Sequence, residues 1–534
     1  MNRIQTLHSN LMKNKYLNRN IYHEFLKNIQ QNPNKTLFYQ KNKNNEWQPH
    51  TNIQLFYKIQ DCRDFLQQNK IQKNDKIIYN GKNSVDWFAW NMATLSVGAL
   101  WVPIYHNQNN EYIQHVINDA QPKILIHDSN ENFQIKNQKY NKQFKNLLIH
   151  QSNVKENKSY IHDNYVHNET SHLIYTSGTS GTPKGVILTH NNLLSNIDAM
   201  NNHFIDLKNH ENLKTFNILP WAHIYSLNTE LYYNVLNQNI IYLNSHQNLF
   251  LKELYHVQPH VVYLVPRILE EIHKKLSFLE KSYIPTSIVL PFVLKKLFGE
   301  NLITIFTGGA KLQQHILDFY QNNKITICEG YGTTEASPMI SVNHMHSPRN
   351  TFSIGKILDN IDVEIIDGEI CVHGPNITQG YYNDSEKTKR SFIYINHKKY
   401  YKTGDAGKKV NDFLFYEGRI SSNYKLSNGK FIEKDKIEGN IKHLLKEPFI
   451  IYGNNQPYNI IIKEYSKSGY KENKHKLMNN INKLLQKYAH IRDILYVDND
   501  VFSKFLTPKM SLKVNEFILH HKEKIDEFYK KSNK

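Results

Sequence analysis

The segment Tyr175–Val186 reads YTSGTSGTPKGV. Hydroxyls at Thr176, Ser177, Thr179, Ser180 and Thr182 alternate there with Gly178, Gly181 and Gly185. Such a loop can turn backbone N–H groups and hydroxyls toward phosphate oxygens, with Lys184 as a mobile cation. It is not a Walker loop, because no Gly-Lys-Ser/Thr closes it. Three glycines within eight residues, in a chain with only 21 among 534, also separate it from a surface linker. Downstream lie Thr307-Gly308-Gly309-Ala310, then Glu329-Gly330-Tyr331-Gly332-Thr333-Thr334-Glu335, then YYKTGD at Tyr400–Asp405, then Gly418-Arg419. Glycines in such clusters let a ligand approach the backbone closely, and tyrosine offers a flat apolar face with a polar tip.

Positioning these clusters requires strands that end on them. Leu147–His150, Leu173–Tyr175, Ile240–Leu243, Val261–Val265, Leu302–Phe306 and Ile325–Cys328 are apolar runs that predict buried strands. The spacing of Leu193, Leu194, Ile197 and Met200 predicts a helix over Thr189–Phe204, which puts the first glycine loop between a strand and a helix. Strand, glycine loop and helix in succession indicate an α/β fold with ligand sites at the strand ends. From about residue 360 the texture changes. Val363–Ile366 and Glu369–Val372 flank Asp367-Gly368, the mark of a tight hairpin in a small antiparallel β subdomain. The Lys-rich stretch after Gly418-Arg419 is long enough for a separate small α+β domain.

Composition excludes several function classes. Lys+Arg number 66 and Asp+Glu 48, a net charge of +18, yet only eight of the basic residues are arginine. The lysines are dispersed and no nucleic-acid motif is present, so the charge is background from AT-rich coding, and no nucleic-acid partner is expected. Three cysteines (Cys62, Cys328, Cys371) do not make a disulfide framework and fit a reducing, cytoplasmic setting. The N-terminal residues form no secretory h-region, and no apolar run is long enough to span a bilayer.

Taken together, YTSGTSGTPKGV, EGYGTTEAS (Glu329–Ser337), YYKTGD and Gly418-Arg419, in that order, resemble the signatures of the AMP-binding, adenylate-forming superfamily of acyl-CoA synthetases, peptide-synthetase adenylation domains and luciferases. The resemblance runs from about residue 20 to about residue 515. It implies a large N-terminal domain of α/β sheets over 1–416, including a β-barrel-like subdomain from about 355. A hinge at 417–421 and a mobile C-terminal lid at 422–534 follow. It implies ATP, Mg2+ and coenzyme A as cofactor and co-substrates. By resemblance, Glu335 and Thr176 serve the metal, and Thr176, Thr334 and the 176–184 loop serve the phosphates. Tyr331, with Gly308, Gly309 and Ala310, serves the adenine, with Glu329, Gly330, Gly332 and Thr333 completing the nucleotide site. Asp405 and Arg419 serve the ribose. Asn428-Gly429 belongs to the loop brought in for the second half-reaction.

Leu219-Pro220-Trp221-Ala222-His223-Ile224-Tyr225 resembles the LP-x-x-H-x-Y/F segment that borders the carboxylate. Val265-Pro266-Arg267, with Glu270, and Gly299–Leu302 resemble long-chain acyl-CoA synthetases, although the stretch from Glu270 to Gly299 is shorter than in that subgroup. The expected activity is therefore ATP-dependent ligation of a long-chain fatty acid to coenzyme A, with peripheral membrane contact. The alternatives are another carboxylic acid or a carrier-protein acceptor, or an impaired ATP- or acyl-binding pseudoenzyme. Two positions depart from the family. Ser421 stands where the hinge carries Lys or Asp, and Ser511, in Leu506–Lys513, stands where a catalytic lysine belongs. Lys509 and Lys513 flank Ser511 at about 7 Å each in an extended chain, within reach of a lysine stem, so one of them is expected to supply the cation.

Overall fold

A computed structural model describes residues 19–127, 169–177, 183–276, 286–445, 448–465, 473–505 and 512–532. The Leu147–His150 run, Gly178–Thr182, Lys509 and Ser511 lie outside the described residues.

Two large sheets form the N-terminal part. The six-stranded one runs parallel through Lys76–Asn80, Leu100–Ile104, Ile124–His127 and Thr170–Ser177, and closes with the antiparallel strands Pro183–Thr189 and Gly380–Tyr381. Its central strands are apolar on both faces (Leu100, Trp101, Val102, Ile104), as buried parallel strands require. The second sheet is parallel across Lys214–Asn217, Val261–Leu264, Thr304–Thr307 and Ile327–Gly332. An aromatic layer of Trp87, Trp101, Trp221, Phe38 and Phe88 fills the core beside it. The chain is thus a mixed α/β protein with a large N-terminal sheet region and a smaller C-terminal one.

Two elements differ from the expectation in a way that matters. The glycine loop does not run from a strand into a helix. Val186, Ile187 and Leu188 pair back onto Ile174, Leu173 and His172, so the loop joins two antiparallel strands. The helix His190–His203 starts only after them, capped reciprocally by Thr189 and Asn192. Glu329-Gly330-Tyr331-Gly332 is likewise strand rather than loop. Cys328 and Glu329 pair in parallel with Phe306 and Thr307, and Gly330 and Tyr331 then pair antiparallel with Val342 and Ser341. One strand therefore joins the parallel sheet to the antiparallel strands beyond it. A side chain at Gly332 is excluded by close approach: its Cβ would lie 1.8 Å from the Pro338 carbonyl oxygen.

The expected hairpin forms as Asp362–Ile366 and Glu369–His373, with Asp367 (φ 51°) and Gly368 (φ 80°) both left-handed in the turn. YYKTGD lies within the long strand Lys398–Val410, whose partner is Phe413–Arg419. The C-terminal region packs Lys434–Ile441 and Lys474–Lys483 on a three-stranded sheet of Phe449–Tyr452, Asn459–Glu464 and Ile491–Val497. Helices Val514–His520 and Lys522–Ser532 cover the other face.

Candidate functional site

A cleft of about 1710 Å³ opens between the two regions. Tyr175, Thr176, His223, Gly308, Gly309, Gly330–Glu335, Tyr381 and Arg419 line it from the N-terminal side, and Leu512–Val514 from the lid.

Strand register builds its best-defined wall. Residues 405 and 419 are 14 apart in sequence but are direct cross-strand partners, so Asp405 and Arg419 meet as an ion pair at 3.0 Å. The Tyr331 hydroxyl donates to the other Asp405 oxygen at 2.6 Å, and Arg419 also donates to the Thr403 carbonyl at 3.0 Å. Asp405 is only 2% exposed. Burial pushes its carboxyl up, while Arg419 and the Tyr331 hydroxyl pull it down. Behind this wall the Arg419 amide donates to Asp435 Oδ2 at 2.7 Å, tying the start of the lid to the strand end.

Glu335 sits on a single 3-10 turn, Thr334–Ala336, that follows the shared strand. Its Oε1 accepts a hydrogen bond from the Tyr381 hydroxyl at 2.7 Å, and its carbonyl accepts from the Thr378 amide at 2.8 Å. Tyr381 has no sequence signal of its own, because the two residues are 46 apart and meet only through the Gly380–Tyr381 strand at the sheet edge. Thr334 is buried and Thr176 half-buried, both facing the cleft. A single carboxylate with hydroxyls suits Mg2+, which is usually held by one or two carboxylates together with substrate phosphates. Among the described residues no group of three or more His, Cys, Asp or Glu could form an all-protein cage.

Other expected site residues lie elsewhere. Lys184 pairs with Asp384 at 2.9 Å and is not among the cleft residues. Ser177 is the last residue of its strand, opposite Pro183, and the base of the loop is anchored by Tyr175 to Asp119 (2.6 Å) and by His115 to the Pro183 carbonyl (2.9 Å). Glu329 turns from the cleft to accept the Leu312 amide at 2.7 Å, and burial raises its carboxyl to about 7. Ala310 is exposed in the turn beside it. His223 does face the cleft. Its Nδ1 accepts the Tyr225 amide at 3.2 Å, at the start of a wide π-helical stretch, Tyr225–Tyr232. Asn428 and Gly429 form the exposed turn between Tyr424–Lys425 and Phe431–Ile432, away from the cleft lining. Lys513 lines the cleft with its ammonium 2.9 Å from Glu516.

A family model described as AMP-binding enzyme matches residues 25–382. The chain is 29% identical over 301 residues to the D-alanine–D-alanyl carrier protein ligase of Lactococcus lactis subsp. lactis (strain IL1403), a match spanning 52% of this chain and 54%, about half, of that relative. It is 22% identical over 568 residues to long chain acyl-CoA synthetase 3 of Arabidopsis thaliana, covering 86% of this chain and 84% of the other. The fold is similar to that of ATP-bound MatB from Rhodopseudomonas palustris, with a TM-score of 0.75 at 16% identity over 95% of this chain and 99% of that one. With more than half of its length matched by that model, the chain belongs to the AMP-binding enzyme family.

Proposed function

We propose that the chain is an ATP-dependent acid–thiol ligase that joins a long-chain fatty acid to coenzyme A through an acyl-adenylate. The observation that carries this reading is that Asp405 and Glu335, the two carboxylates assigned to ribose and metal, are each held by the hydroxyl of a tyrosine, Tyr331 and Tyr381, that lines the same cleft.

In the first step the acid's carboxylate attacks the α-phosphate, the bond to the pyrophosphate leaving group breaks, and no proton is transferred. Two anions must meet, so catalysis rests on positioning and on placed positive charge. Asp405 would accept the ribose hydroxyls and Arg419 would hold its charge. Tyr331 would lie against the adenine, and Thr176, Thr334 and the 176–184 loop would take phosphate oxygens. Glu335 and Thr176 would hold Mg2+, which supplies charge neutralisation at the phosphates. His223 would border the carboxylate, and Lys513 faces the same cleft and would supply the charge that the sequence lacks at position 511. In the second step, rotation about 417–421 would withdraw the 512–522 segment and bring in the Asn428-Gly429 turn, after which the coenzyme A sulfur bonds to the acyl carbon, the acyl–phosphate bond breaks to release AMP, and the thiol proton leaves to solvent. Domain boundaries at 416 and 422 follow from this reading.

The fatty-acid assignment is supported by Val265-Pro266-Arg267 and by the long-chain relatives. A membrane-partitioning substrate implies peripheral contact from a reducing, cytoplasmic compartment. No helix among the described residues is long and apolar enough to cross a bilayer, and all three cysteines are buried and free. A shorter acid, or a carrier-protein acceptor, is the second reading. It is favoured by Tyr225, whose ring lies 3.8 Å from where a Gly308 Cβ would sit and whose buried hydroxyl has no hydrogen-bond partner among the described residues. Pyrophosphate release over a panel of carboxylic acids, with and without coenzyme A, decides. Release and thioester formation confined to long-chain acids support the first reading, and short acids alone support the second. No release with any acid sinks both and leaves a binding protein.

A further inference from the structure

The cleft needs a cation at its polyphosphate end, and Lys184 is already neutralised by Asp384. A second lysine stands beside that pair. Asp384 caps the short helix Ser385–Arg390, its Oδ1 accepting the Lys387 amide at 2.9 Å while Oδ2 pairs with Lys184. Thr388, the next residue, accepts the Tyr381 amide at 2.9 Å and packs on Gly380 (φ 149°), where a Cβ would come within 2.4 Å of its methyl group. Lys387 is therefore held in one place relative to Tyr381. Its ammonium lies 3.9 Å over the Tyr381 ring, and that tyrosine's hydroxyl holds Glu335. Lys387 and Arg390 line the cleft together.

Among the described residues Lys387 forms no ion pair. Burial pulls its ammonium down, and Glu335 and Asp384 only partly offset that while Lys184 opposes them. A half-buried cation with no ion pair among the described residues, beside the carboxylate assigned to the metal, is matched by an anion of high charge density. A cation–π contact of this kind is weaker than a charge-assisted hydrogen bond to phosphate, so the ammonium gains by leaving the ring for a phosphate oxygen.

We infer that Lys387 is a polyphosphate-binding residue of the cleft, contacting the β- and γ-phosphates of the bound nucleoside triphosphate and then the released pyrophosphate. This rests on the adenylation reading above. AMP lacks the groups Lys387 would hold, whereas a residue that only props Tyr381 would serve AMP and ATP alike.

The test is calorimetric titration of the full chain with AMP, with MgATP and with magnesium pyrophosphate, for the wild type and for Lys387→Met, Lys387→Arg and, as a control on the exposed side of the same helix, Lys389→Met. Lys387→Met is expected to weaken ATP and pyrophosphate binding by about 10- to 100-fold, the range of one hydrogen bond to a charged group, and to leave AMP within about twofold. Lys387→Arg should recover most of the loss, and Lys389→Met should match the wild type. Equal weakening of ATP and AMP, or no change in either, overturns the inference. Lys387→Gln carries the same comparison should Lys387→Met melt early. A wild-type chain that binds neither nucleotide overturns the adenylation reading itself, an outcome distinct from a wild type that binds both while Lys387→Met changes nothing.

Discussion

The sheet-built wall of the cleft and the lid segment facing it are made by different physical means. Asp405, Arg419, Tyr331 and Glu335 are placed by strand register and fixed by hydrogen bonds among themselves and to Tyr381. Lys513 stands just before a seven-residue helix, its amide donating to the Phe505 carbonyl and its ammonium in a half-exposed ion pair with Glu516. Such exposed pairs contribute little. The wall is therefore arranged before any ligand arrives, whereas the lid acts by where it happens to be. Substitutions in the wall should alter binding and stability together, and those in the lid should alter rate alone.

The largest effect is expected at Glu335. Glu335→Gln keeps an acceptor for Tyr381 but removes the charge assigned to the metal, and adenylation should fall by about 100- to 1,000-fold, measured as acid-dependent pyrophosphate release at saturating ATP. Asp405→Asn comes next. It takes a charged acceptor from Arg419 and Tyr331, so AMP affinity should drop by about 10- to 100-fold and the melting temperature should fall with it. Lys513→Ala should slow adenylation by about tenfold, or 1.4 kcal/mol, with AMP affinity and melting temperature unchanged. A Lys513→Ala chain that loses AMP affinity as Asp405→Asn does would break the distinction between wall and lid. An unchanged adenylation rate would move the substitute cation to Lys509.

A prediction of a different kind, on stability rather than on binding or rate, concerns Glu329, which supports the wall from behind. Its carboxyl is raised from an ordinary 4.5 to about 7 by burial, with the Leu312 amide and Lys311 opposing. The folded chain therefore binds the proton more tightly than the unfolded one, and the stability this gives is present below about pH 4.5 and lost as pH rises through about 7. Glu329→Gln removes that loss. The variant should gain on the wild type between pH 5 and pH 8, by on the order of 3 kcal/mol at the upper end, seen as a widening difference in denaturant midpoint. A difference that stays flat with pH would contradict the assignment.

The chemistry was legible in the sequence where one short segment carries it. Tyr175, Thr176 and Pro183 of the first segment, Gly330–Glu335 of EGYGTTEAS and Tyr401–Gly404 of YYKTGD line the cleft, and the Asp367-Gly368 turn forms as its residues require. What was not legible depends on pairing between distant segments. Val186–Leu188 are apolar and β-branched enough to be strand, but only their register against His172–Ile174 puts a second strand before the helix. EGYG looks like a loop because glycine usually breaks strands, yet here the glycines let two neighbouring chains approach closely. Tyr381 and Lys387 carry no local signal, since their roles come from the Gly380–Tyr381 edge strand meeting the glycine-loop hairpin. The sequence also left Lys184 as a free cation, because nothing local announces Asp384, 200 residues away.

The most direct test of the adenylation mechanism is mass spectrometry of the nucleotides bound after mixing the full chain with ATP, Mg2+ and the preferred acid, without coenzyme A. The expected result is acyl-AMP held at about one per chain, released as thioester and AMP when the thiol is added. Formation of ADP with an acyl phosphate, or no covalent acyl nucleotide with any acid, would contradict it.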